Sequence, residues 1–326
     1  MLYNKRKNKS EITKEMAEKI LRSINFKFNK INSIGISYTN DVFLVEDKEK
    51  KFVLKFFTDQ WVDNNFGKRE YNTLLLLKKM GLPVPNVLLF KESDDVSPRN
   101  YMIMEKLDGT QMCTEMDNVS SKTIDECISF LKRFQEISGQ FGFFDHDENV
   151  HKTYDNHFNF INDSVYYAIK KVKDLGYNNH NLQELFSKQR YYDTDKKVLT
   201  FTHGDFSPKH IFIKGERVTG LIDFEWSIFS EPINDAILFL TSISEYNVQK
   251  SHLVKIMNYC NSIANPSKVA YYAARAFILK AAWPHKTVKQ PYYSQTCLDK
   301  AKRILDRGSL EIGDLLQSEY LGVVGE

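Results

Sequence analysis

The sequence is poor in cysteine, with four residues of this type among 326, at positions 113, 127, 260 and 297. No two of them form a C-x-x-C pair, so neither a zinc knuckle nor a redox-active dithiol is indicated. Four cysteines in a chain of this length are also too few for a disulfide framework. Reduced thiols in the cytoplasm are therefore the default expectation.

Long apolar runs are absent as well. No segment reaches the roughly 18 uncharged apolar residues that a membrane-spanning helix needs, so no membrane span is expected. The beginning of the chain, MLYNKRKNKS, lacks the apolar core of a secretory signal peptide. Together these absences predict a soluble, cytoplasmic protein.

An excess of charge of one sign is missing too, because 45 lysines and arginines oppose 42 aspartates and glutamates. A general nucleic-acid-binding surface is not expected from a net charge of +3. The locally basic first ten residues are interpreted as a solvated leader to a first helix. With 42% hydrophobic residues the chain can bury a sizeable core, and its length suggests two domains or one domain with two lobes.

The hydrophobic pattern changes character along the chain. Residues 27–58, 87–90 and 101–107 have the pattern of strands, and the polar turn DKEKK between DVFLVE and FVLKFF indicates a hairpin. Helices are predicted at 11–24, 68–80, 120–138, 157–175, 234–245, 250–264, 266–282 and 293–307. The pattern thus predicts an α+β fold, with a small β-rich lobe over 1–105 and a larger, mainly helical lobe over 106–326.

The most informative stretch is HGDFSPKH, residues 203–210, which is followed by LIDFE at 221–225. The segment between them reads as strand, turn and strand, with a glycine at the turn. Because a hairpin places its two ends side by side, His210 and Asp223 are expected at the same end of neighbouring strands. Asp205 lies on the loop just before them, so one imidazole and two carboxylates are predicted to meet at a loop edge.

This group of side chains suits metal-assisted phosphoryl transfer. The reaction needs a carboxylate that accepts or orients the proton of an attacking hydroxyl, ligands for Mg²⁺ and a cation near the nucleotide phosphates. Asp205 fits the base and Asp223 fits the magnesium ligand. Lys55 qualifies as the cation, since a lone lysine in the apolar strand FVLKFF is hard to bury without a partner. Glu70, on the following helix, is its expected partner.

The pattern HGD-x₄-H followed by IDFE, with VLK and a helical glutamate before it, resembles the aminoglycoside phosphotransferase and choline kinase family from about residue 31 to about residue 240. The resemblance implies a two-lobed, protein-kinase-like fold with ATP or GTP in the cleft. It assigns the base to Asp205, a magnesium ligand to Asp223, the phosphate contact to Lys55 braced by Glu70, and a role in the scaffold of the catalytic loop to His203.

The resemblance also implies where the rest of the nucleotide is held. YMIMEKLDG is similar to the hinge between the lobes, where backbone groups near Glu105 and Leu107 would hold the purine. GISYTNDVF is similar to the loop that covers the phosphates, which assigns nucleotide contacts to Ser37, Tyr38 and Asn40.

The sequence departs from the family pattern at two positions. His210 stands where the family usually has Asn, although a subset that includes kinases acting on the 2''-hydroxyl of aminoglycosides also has His. Imidazole can ligate a divalent ion but is a poorer magnesium ligand than oxygen. Three roles therefore stay open for His210. It could coordinate the metal weakly, coordinate it through water, or only brace Asp205. Glu225 stands where protein kinases have glycine, and the motif IDFE that contains it resembles that of choline kinases. Glu225 adds negative charge beside the metal site or toward a cationic substrate.

The acceptor pocket is expected from residues beyond the motif. Its candidate lining residues are Glu225, Trp226, Glu245, Tyr246 and Trp283. Aromatic rings and carboxylates would suit an amine through cation–π contacts and ion pairs, and Trp283 equally fits a core position at a helix end. Asp235 is expected to support the catalytic loop from a helix start.

Three functions are compatible with these features. The first is a kinase that phosphorylates a hydroxyl of an antibiotic, most directly an aminoglycoside, which would confer antibiotic resistance. It predicts an acidic acceptor pocket, but residues 200–326 hold 14 basic and 13 acidic side chains. The second is a metabolic kinase of the choline, fructosamine or sugar type. The third is a nucleotide-binding module without catalysis, against which the presence of both Asp205 and Asp223 argues. A protein kinase is not expected, because the chain lacks an A-P-E segment and a G-x-G-x-x-G loop and has HGD instead of H-R-D.

Overall fold

The computed structural model describes residues 11–34, 40–48, 50–59, 65–144, 150–151, 157–178, 181–188, 199–283 and 290–316. It begins with helix α1, Lys14–Ser23, whose N-terminus is capped by the Thr13 hydroxyl, which accepts a hydrogen bond from the backbone N–H of Met16 at 3.2 Å. None of the helices within these ranges is both long and apolar enough to cross a membrane.

A five-stranded antiparallel sheet follows α1. Its strands are β1 (Lys30–Ser33), β2 (Asp41–Asp47), β3 (Lys50–Phe56), β4 (Val87–Lys91) and β5 (Tyr101–Glu105), in the order β1-β2-β3-β5-β4. Helix α2, Phe66–Lys79, connects β3 to β4. The β-rich region, the β2–β3 hairpin and the helix after it lie where the sequence predicts them.

The two faces of this sheet pack in different cores, because side chains alternate along each strand. Leu54 and Phe56 of β3 belong to a smaller core with α1. Met102 and Met104 of β5 instead lie in the larger core with α2. Lys55, between Leu54 and Phe56, therefore points to the α2 side of the sheet.

The rest of the chain is mainly helical. Its helices are α3 (Ser121–Gln135), α4 (His157–Asp174), α5 (Leu182–Lys188), α6 (Ile233–Ile243), α7 (Lys250–Ile263), α8 (Pro266–Ala282), α9 (Gln290–Arg307) and α10 (Ile312–Leu315). Among these, α5 and α10 are not indicated by the sequence pattern, because two turns or fewer carry too little periodicity. The other six coincide with predicted helices to within a few residues.

Short strands join these helices. They are β6 (Thr110–Gln111), β7 (Ser138–Gly139), β8 (Gly142–Phe144), β9 (Val150–His151), β10 (Leu199–Thr202), β11 (Ile211–Lys214), β12 (Arg217–Leu221) and β13 (Ile228–Ser230). One sheet has the order β7-β10-β13-β8-β9 and the other β12-β11-β6. The predicted α+β class is thus confirmed. The predicted lobe boundary after residue 105 follows β5 directly and stays a prediction, because the larger core continues across it.

Candidate active site

The loop 203–210 lies between β10 and β11, and Asp235 at the start of α6 holds its beginning. The Asp235 carboxylate accepts hydrogen bonds from the backbone N–H groups of His203, at 2.6 Å, and Gly204, at 2.9 Å. Burial raises the pKa of Asp235 to about 7, against the lowering effect of these two hydrogen bonds. This is the contact by which a helix-start carboxylate can support the loop.

Gly204 brings the loop close to the segment after β12. Its φ is +81°, in the left-handed region, and a Cβ at this position would lie 2.0 Å from the backbone oxygen of Trp226. Only glycine fits both the backbone angle and the close approach.

His203 is fully buried behind the loop and connects its two sides. Burial lowers the pKa of His203 to about 4, and the neighbouring His210 adds to that effect, so the ring is neutral near pH 7. Its Nε2 donates to the backbone oxygen of Ile222 at 2.9 Å, and its Nδ1 accepts from the N–H of Asp205 at 3.3 Å. The neutral tautomer thereby fixes the backbone on either side of the active site.

The β11–β12 hairpin brings His210 and Asp223 together. Ile211 pairs with Leu221, and the backbone N–H of Ile222 donates to the oxygen of His210 at 3.0 Å. The Nε2 of His210 consequently lies 3.2 Å from Oδ2 of Asp223. Asp223 has a φ of +69°, which few residues other than glycine, Asn and Asp adopt readily.

Asp205 is the exposed member of this group. Half of its side chain, 51%, is open to solvent, whereas the side chain of His210 is 13% exposed. His210 donates from Nδ1 to the backbone oxygen of Asp205 at 2.8 Å, and Nδ1 lies 3.7 Å from Oδ2 of Asp205. The loop thus presents one carboxylate to the solvent beside a half-buried imidazole and a second, less exposed carboxylate.

The pKa of His210 follows from the two carboxylates beside it. Burial opposes a charge on the ring, but Asp205 and Asp223 together raise the pKa of His210 to about 9. The positive ring in turn helps to hold the pKa of Asp223 well below its usual range, against burial and in addition to the larger effect of Lys55.

Lys55 lies among three carboxylates. Its Nζ is 2.6 Å from Oε2 of Glu70, 2.8 Å from Oδ1 of Asp223 and 2.8 Å from Oε1 of Glu225. Burial opposes the charge, but Asp223, Glu225 and Glu70 hold the pKa of Lys55 well above its usual range. The structure therefore contains the expected Lys55–Glu70 pair, and it places Glu225 in the same buried cluster.

We expect that replacing Lys55 with Met lowers the free energy of unfolding by about 3–5 kcal/mol, because it leaves buried carboxylates without their cation. Burial already raises the pKa of Glu225 to about 7. In the Lys55→Met variant, Glu225 is therefore the carboxylate of the cluster that we expect to take up a proton. Urea denaturation of Lys55→Met and of Lys55→Met/Glu225→Gln tests the idea. The double variant should recover part of the loss, and a double variant less stable than Lys55→Met would contradict the argument.

Helix α2 is joined to the segment that follows Asp223. The Arg69 guanidinium donates to the backbone oxygen of Glu225 at 2.8 Å, and the hydroxyls of Thr73 and Ser227 lie 2.9 Å apart. Trp226, a candidate for the acceptor pocket, packs its ring edgewise on Phe66, with ring centroids 5.0 Å apart. Glu70, which lies on the same helix, is thus fixed against the hairpin that carries Asp223.

The residues expected to hold the nucleotide are described in part. Asn40 is buried, accepts a hydrogen bond from the backbone N–H of Thr58 at 2.9 Å and donates to the Glu225 carboxylate. Ser37 and Tyr38 lie outside the described residues. Glu105 ends β5, and its N–H donates to the oxygen of Asn86 at 3.0 Å, while Leu107 follows at the start of the connection and its side chain lies against Gly220.

The remaining acceptor-pocket candidates are engaged with other parts of the protein. Glu245 lies 2.5 Å from Nζ of Lys280 and accepts a hydrogen bond from the hydroxyl of Tyr293, also at 2.5 Å. Tyr246 packs against the larger core. The ring of Trp283, at the end of α8, stacks on Tyr167 with centroids 5.8 Å apart.

Sequence reasoning missed the Asn40–Glu225 contact and the pairing of Glu225 with Lys55. Both contacts connect the N-terminal β-rich region to the turn that follows the β11–β12 hairpin, over more than a hundred positions of the sequence. The available signal was the spacing of Asp223 and Glu225, which lie two residues apart. Asp223 precedes the 3₁₀ turn Phe224–Trp226, and Glu225 lies within it.

Comparison with known proteins assigns the chain to one family. The sequence profile described as "Phosphotransferase enzyme family" matches residues 30–250, which is more than half of the chain. The chain belongs to this family. It is therefore a phosphotransferase. A search of curated protein sequences finds no match.

Solved structures share the fold of this phosphotransferase. Aminoglycoside phosphotransferase APH(4)-Ia superposes with a TM-score of 0.64 at 14% identity, covering 92% of this chain and 100% of the other. APH(2'')-IIIa in complex with GDP and kanamycin gives 0.58 at 15% identity, covering 90% and 98%. An APH(4)-Ia variant with ADP and hygromycin B gives 0.61 at 13% identity, covering 90% and 98%. The predicted kinase-like fold is thereby confirmed.

Proposed function

We propose that this phosphotransferase is a small-molecule kinase that moves the γ-phosphoryl group of ATP or GTP to a hydroxyl of its acceptor. The observation that carries the proposal is the placement of the exposed Asp205 carboxylate beside Asp223 and His210, with the buried Lys55–Glu70 pair on the opposite side of Asp223. Asp205 as the base and Lys55 as the cation for the phosphates thus lie on either side of Asp223, whose carboxylate suits a metal ion. Phosphoryl transfer requires these three functions.

Asp205 is proposed as the base because it combines exposure with a fixed backbone. Its N–H is bonded to His203 and its carbonyl oxygen to His210, which fixes the backbone, while the carboxylate beside the His210 ring stays half exposed and can meet the acceptor. A hydroxyl within hydrogen-bond reach of this carboxylate could pass its proton to it as the oxygen attacks. Asp235 and His203 are assigned to holding the loop, and Lys55 with Glu70 to the nucleotide phosphates.

The donor set fits Mg²⁺ at Asp223. This ion prefers oxygen ligands, which the Asp223 carboxylate supplies, and the Nε2 of His210 lies beside the same carboxylate. When bound, Mg²⁺ would neutralise charge on the phosphate oxygens. Ligation by His210 requires the neutral ring, so the proton that its raised pKa of about 9 retains must leave first.

The role of His210 can be tested by replacing it with the residue usual in the family. We expect His210→Asn to keep phosphoryl transfer within about tenfold of the wild-type rate, since the Asn amide offers an oxygen that Mg²⁺ prefers. His210→Ala is the matched variant and should be slower than His210→Asn, because it offers neither a ligand nor a donor to Asp205. An inactive but folded His210→Asn enzyme would show that the imidazole does something the amide cannot.

Two acceptor classes are compatible with the site. Aminoglycosides, the acceptor predicted from the sequence, are supported by the ligands of the solved neighbours, which include kanamycin and hygromycin B. A metabolic alcohol of the choline, fructosamine or sugar type is the second candidate. The pairing of Glu245 with Lys280 favours the second, because that carboxylate is already neutralised.

The experiment that tests the proposed function measures ADP and GDP release with Mg²⁺ over a panel of aminoglycosides, macrolides, choline-like amines and sugars. The Asp205→Asn variant serves as the blank. Acceptor-dependent release that the variant loses would support the kinase and name its acceptor class. Release that is equal in the two proteins would remove Asp205 from the reaction, and tight nucleotide binding without any acceptor-dependent release would favour a binding module.

A further inference from the structure

A lysine of the catalytic loop has no role in the proposed reaction. Lys209 lies between Asp205 and His210, in the 3₁₀ turn Pro208–His210. Its backbone is fixed, because its carbonyl oxygen accepts a hydrogen bond from the Gln111 side chain at 2.7 Å. The side chain is half-buried, yet within the described ranges its ammonium group makes no hydrogen bond and no ion pair. This cation thus lies in the loop that carries Asp205 without a carboxylate partner among the described residues, which makes it a candidate for binding an anion.

The positive charge of Lys209 influences two groups beside the loop, the Glu245 carboxyl and the Cys113 thiol. Glu245 lies two residues after the end of α6. Burial would raise the pKa of its carboxyl, but Lys280, Tyr293 and Lys209 together hold that pKa below its ordinary value. Burial also raises the pKa of the Cys113 thiol, and Lys209 opposes that effect. The ammonium group is thus near Glu245 and Cys113, on the side of the loop where α6 ends.

Glu245 does not offer a free negative charge to a ligand. Its Oε1 atom already receives Nζ of Lys280 and the hydroxyl of Tyr293, each at 2.5 Å. Lys280 is itself fixed by the backbone oxygen of Thr241 at 3.1 Å. Lys300 adds a third cation, close enough for Glu245 to oppose the lowering of its pKa by burial. Three ammonium groups therefore accompany one carboxylate, and only Glu245 among them is negative.

The aromatic candidate for amine recognition is also engaged. Nζ of Lys171, on α4, lies 4.4 Å from the centroid of the Trp283 ring, and Tyr167 of the same helix stacks on that ring. A cation–π site on Trp283 is thus used by a cation of the protein itself. The two features that would favour a cationic acceptor, a carboxylate and an aromatic face, are both satisfied within the chain.

We propose that Lys209 is an acceptor-binding residue and that the acceptor carries an anionic group, a carboxylate or a phosphate, which its ammonium group binds. This inference rests on the proposed function and specifies the acceptor as a hydroxylated acid instead of a polyamine. An acceptor with several ammonium groups would be repelled by Lys209 and Lys280, and Glu245, the carboxylate beside them, is already paired with Lys280. An anion instead supplies the partner that Lys209 lacks.

The test compares three probes that share a carbon skeleton and differ in the group at C1: D-gluconate carries a carboxylate, D-glucitol a neutral hydroxymethyl group and D-glucamine an aminomethyl group that is protonated at neutral pH. Binding to the full chain is measured by titration calorimetry in the presence of Mg²⁺ and saturating ADP or GDP, so that the nucleotide site is already filled. We expect gluconate to bind at least about tenfold more tightly than the other two, since one charge-assisted hydrogen bond supports a difference of that size. D-Glucitol 6-phosphate distinguishes a phosphate from a carboxylate as the preferred anion.

Variants of one side chain decide whether Lys209 is responsible. Lys209→Gln should remove the preference for gluconate, and Lys209→Glu should reverse it in favour of glucamine. Lys79→Gln, at an exposed lysine of α2, is the matched control and should bind as the wild type does. The proposal is overturned if the wild type shows no anion preference, whether the probes bind equally or do not bind, or if the preference survives in Lys209→Gln.

The binding measurement requires no turnover, so it separates this inference from the proposed function. If gluconate binding depends on Lys209 but no acceptor causes nucleotide release, the proposed kinase function is contradicted. The anion site at Lys209 is supported by the same result. Turnover of kanamycin without a preference for gluconate would support the kinase and refute the anionic acceptor.

Discussion

Replacing Asp205 with Asn is expected to lower the rate of phosphoryl transfer by about 10²–10⁴-fold, the contribution typical of a general base. The amide has the shape of the carboxylate but does not accept the proton of the acceptor hydroxyl. Nucleotide affinity should change by less than about twofold, because the hydrogen bonds of Asp205 with His203 and His210 use its backbone. The substitution also leaves Lys55 paired with Glu70, Asp223 and Glu225.

The rate is measured as acceptor-dependent ADP or GDP release, and nucleotide affinity is measured separately by calorimetry. Asp125→Asn is a suitable control, because it removes an exposed carboxylate that pairs with Lys255 on the surface. A variant that loses nucleotide binding together with the rate would assign Asp205 to the nucleotide site. An unchanged rate would exclude it as the base.

Replacing Gly204 with Ala is expected to lower the free energy of unfolding by about 2–5 kcal/mol and to lower activity with it. A positive φ costs a residue with a Cβ about 1 kcal/mol or more, and the contact with the Trp226 oxygen adds the cost of overpacking. The backbone must move to relieve a contact of 2.0 Å, and the N–H of Gly204 is bonded to Asp235. Asp205 is the next residue, so the displaced loop would misplace the proposed base.

Gly215 provides the matched control for this prediction. Its φ is also positive, at +60°, but no atom lies within 4 Å of the Cβ that a substitution would add. Gly215→Ala should therefore cost only the backbone strain, about 1 kcal/mol, and keep its activity. Urea denaturation and nucleotide release are measured for both variants. If Gly204→Ala were as stable and active as Gly215→Ala, the close approach to Trp226 would not constrain the loop.

The sequence predicts those parts of the site that depend on local pattern. Lys55 stands out because it interrupts an apolar strand, and the structure pairs it with Glu70 as expected. The hairpin between His210 and Asp223 follows from two short strands and a turn, and it brings both side chains to one end. In each case, neighbours in the sequence or a regular period fix the geometry.

Contacts between distant elements could not be predicted in the same way. Residue type alone favoured an amine pocket at Glu245 and Trp283, but their partners Lys280 and Lys171 come from α8 and α4. Which lysine reaches which group depends on how the helices pack, and no periodic pattern encodes that. The same limit applies to Glu225, whose carboxylate contacts Lys55 on a strand that precedes it by 170 positions.

The position of α2 also bears on how the protein is made. Leu74 and Leu77 of this helix, with Met102 and Met104 of β5, lie in the core that is completed by α3 to α9. The ribosome releases the β-rich part first, when the partners of these apolar side chains have not yet been synthesised. The nascent chain must therefore keep this surface soluble, or covered by a chaperone, until the helical part emerges. The β-rich part therefore completes its fold only with the chain that follows.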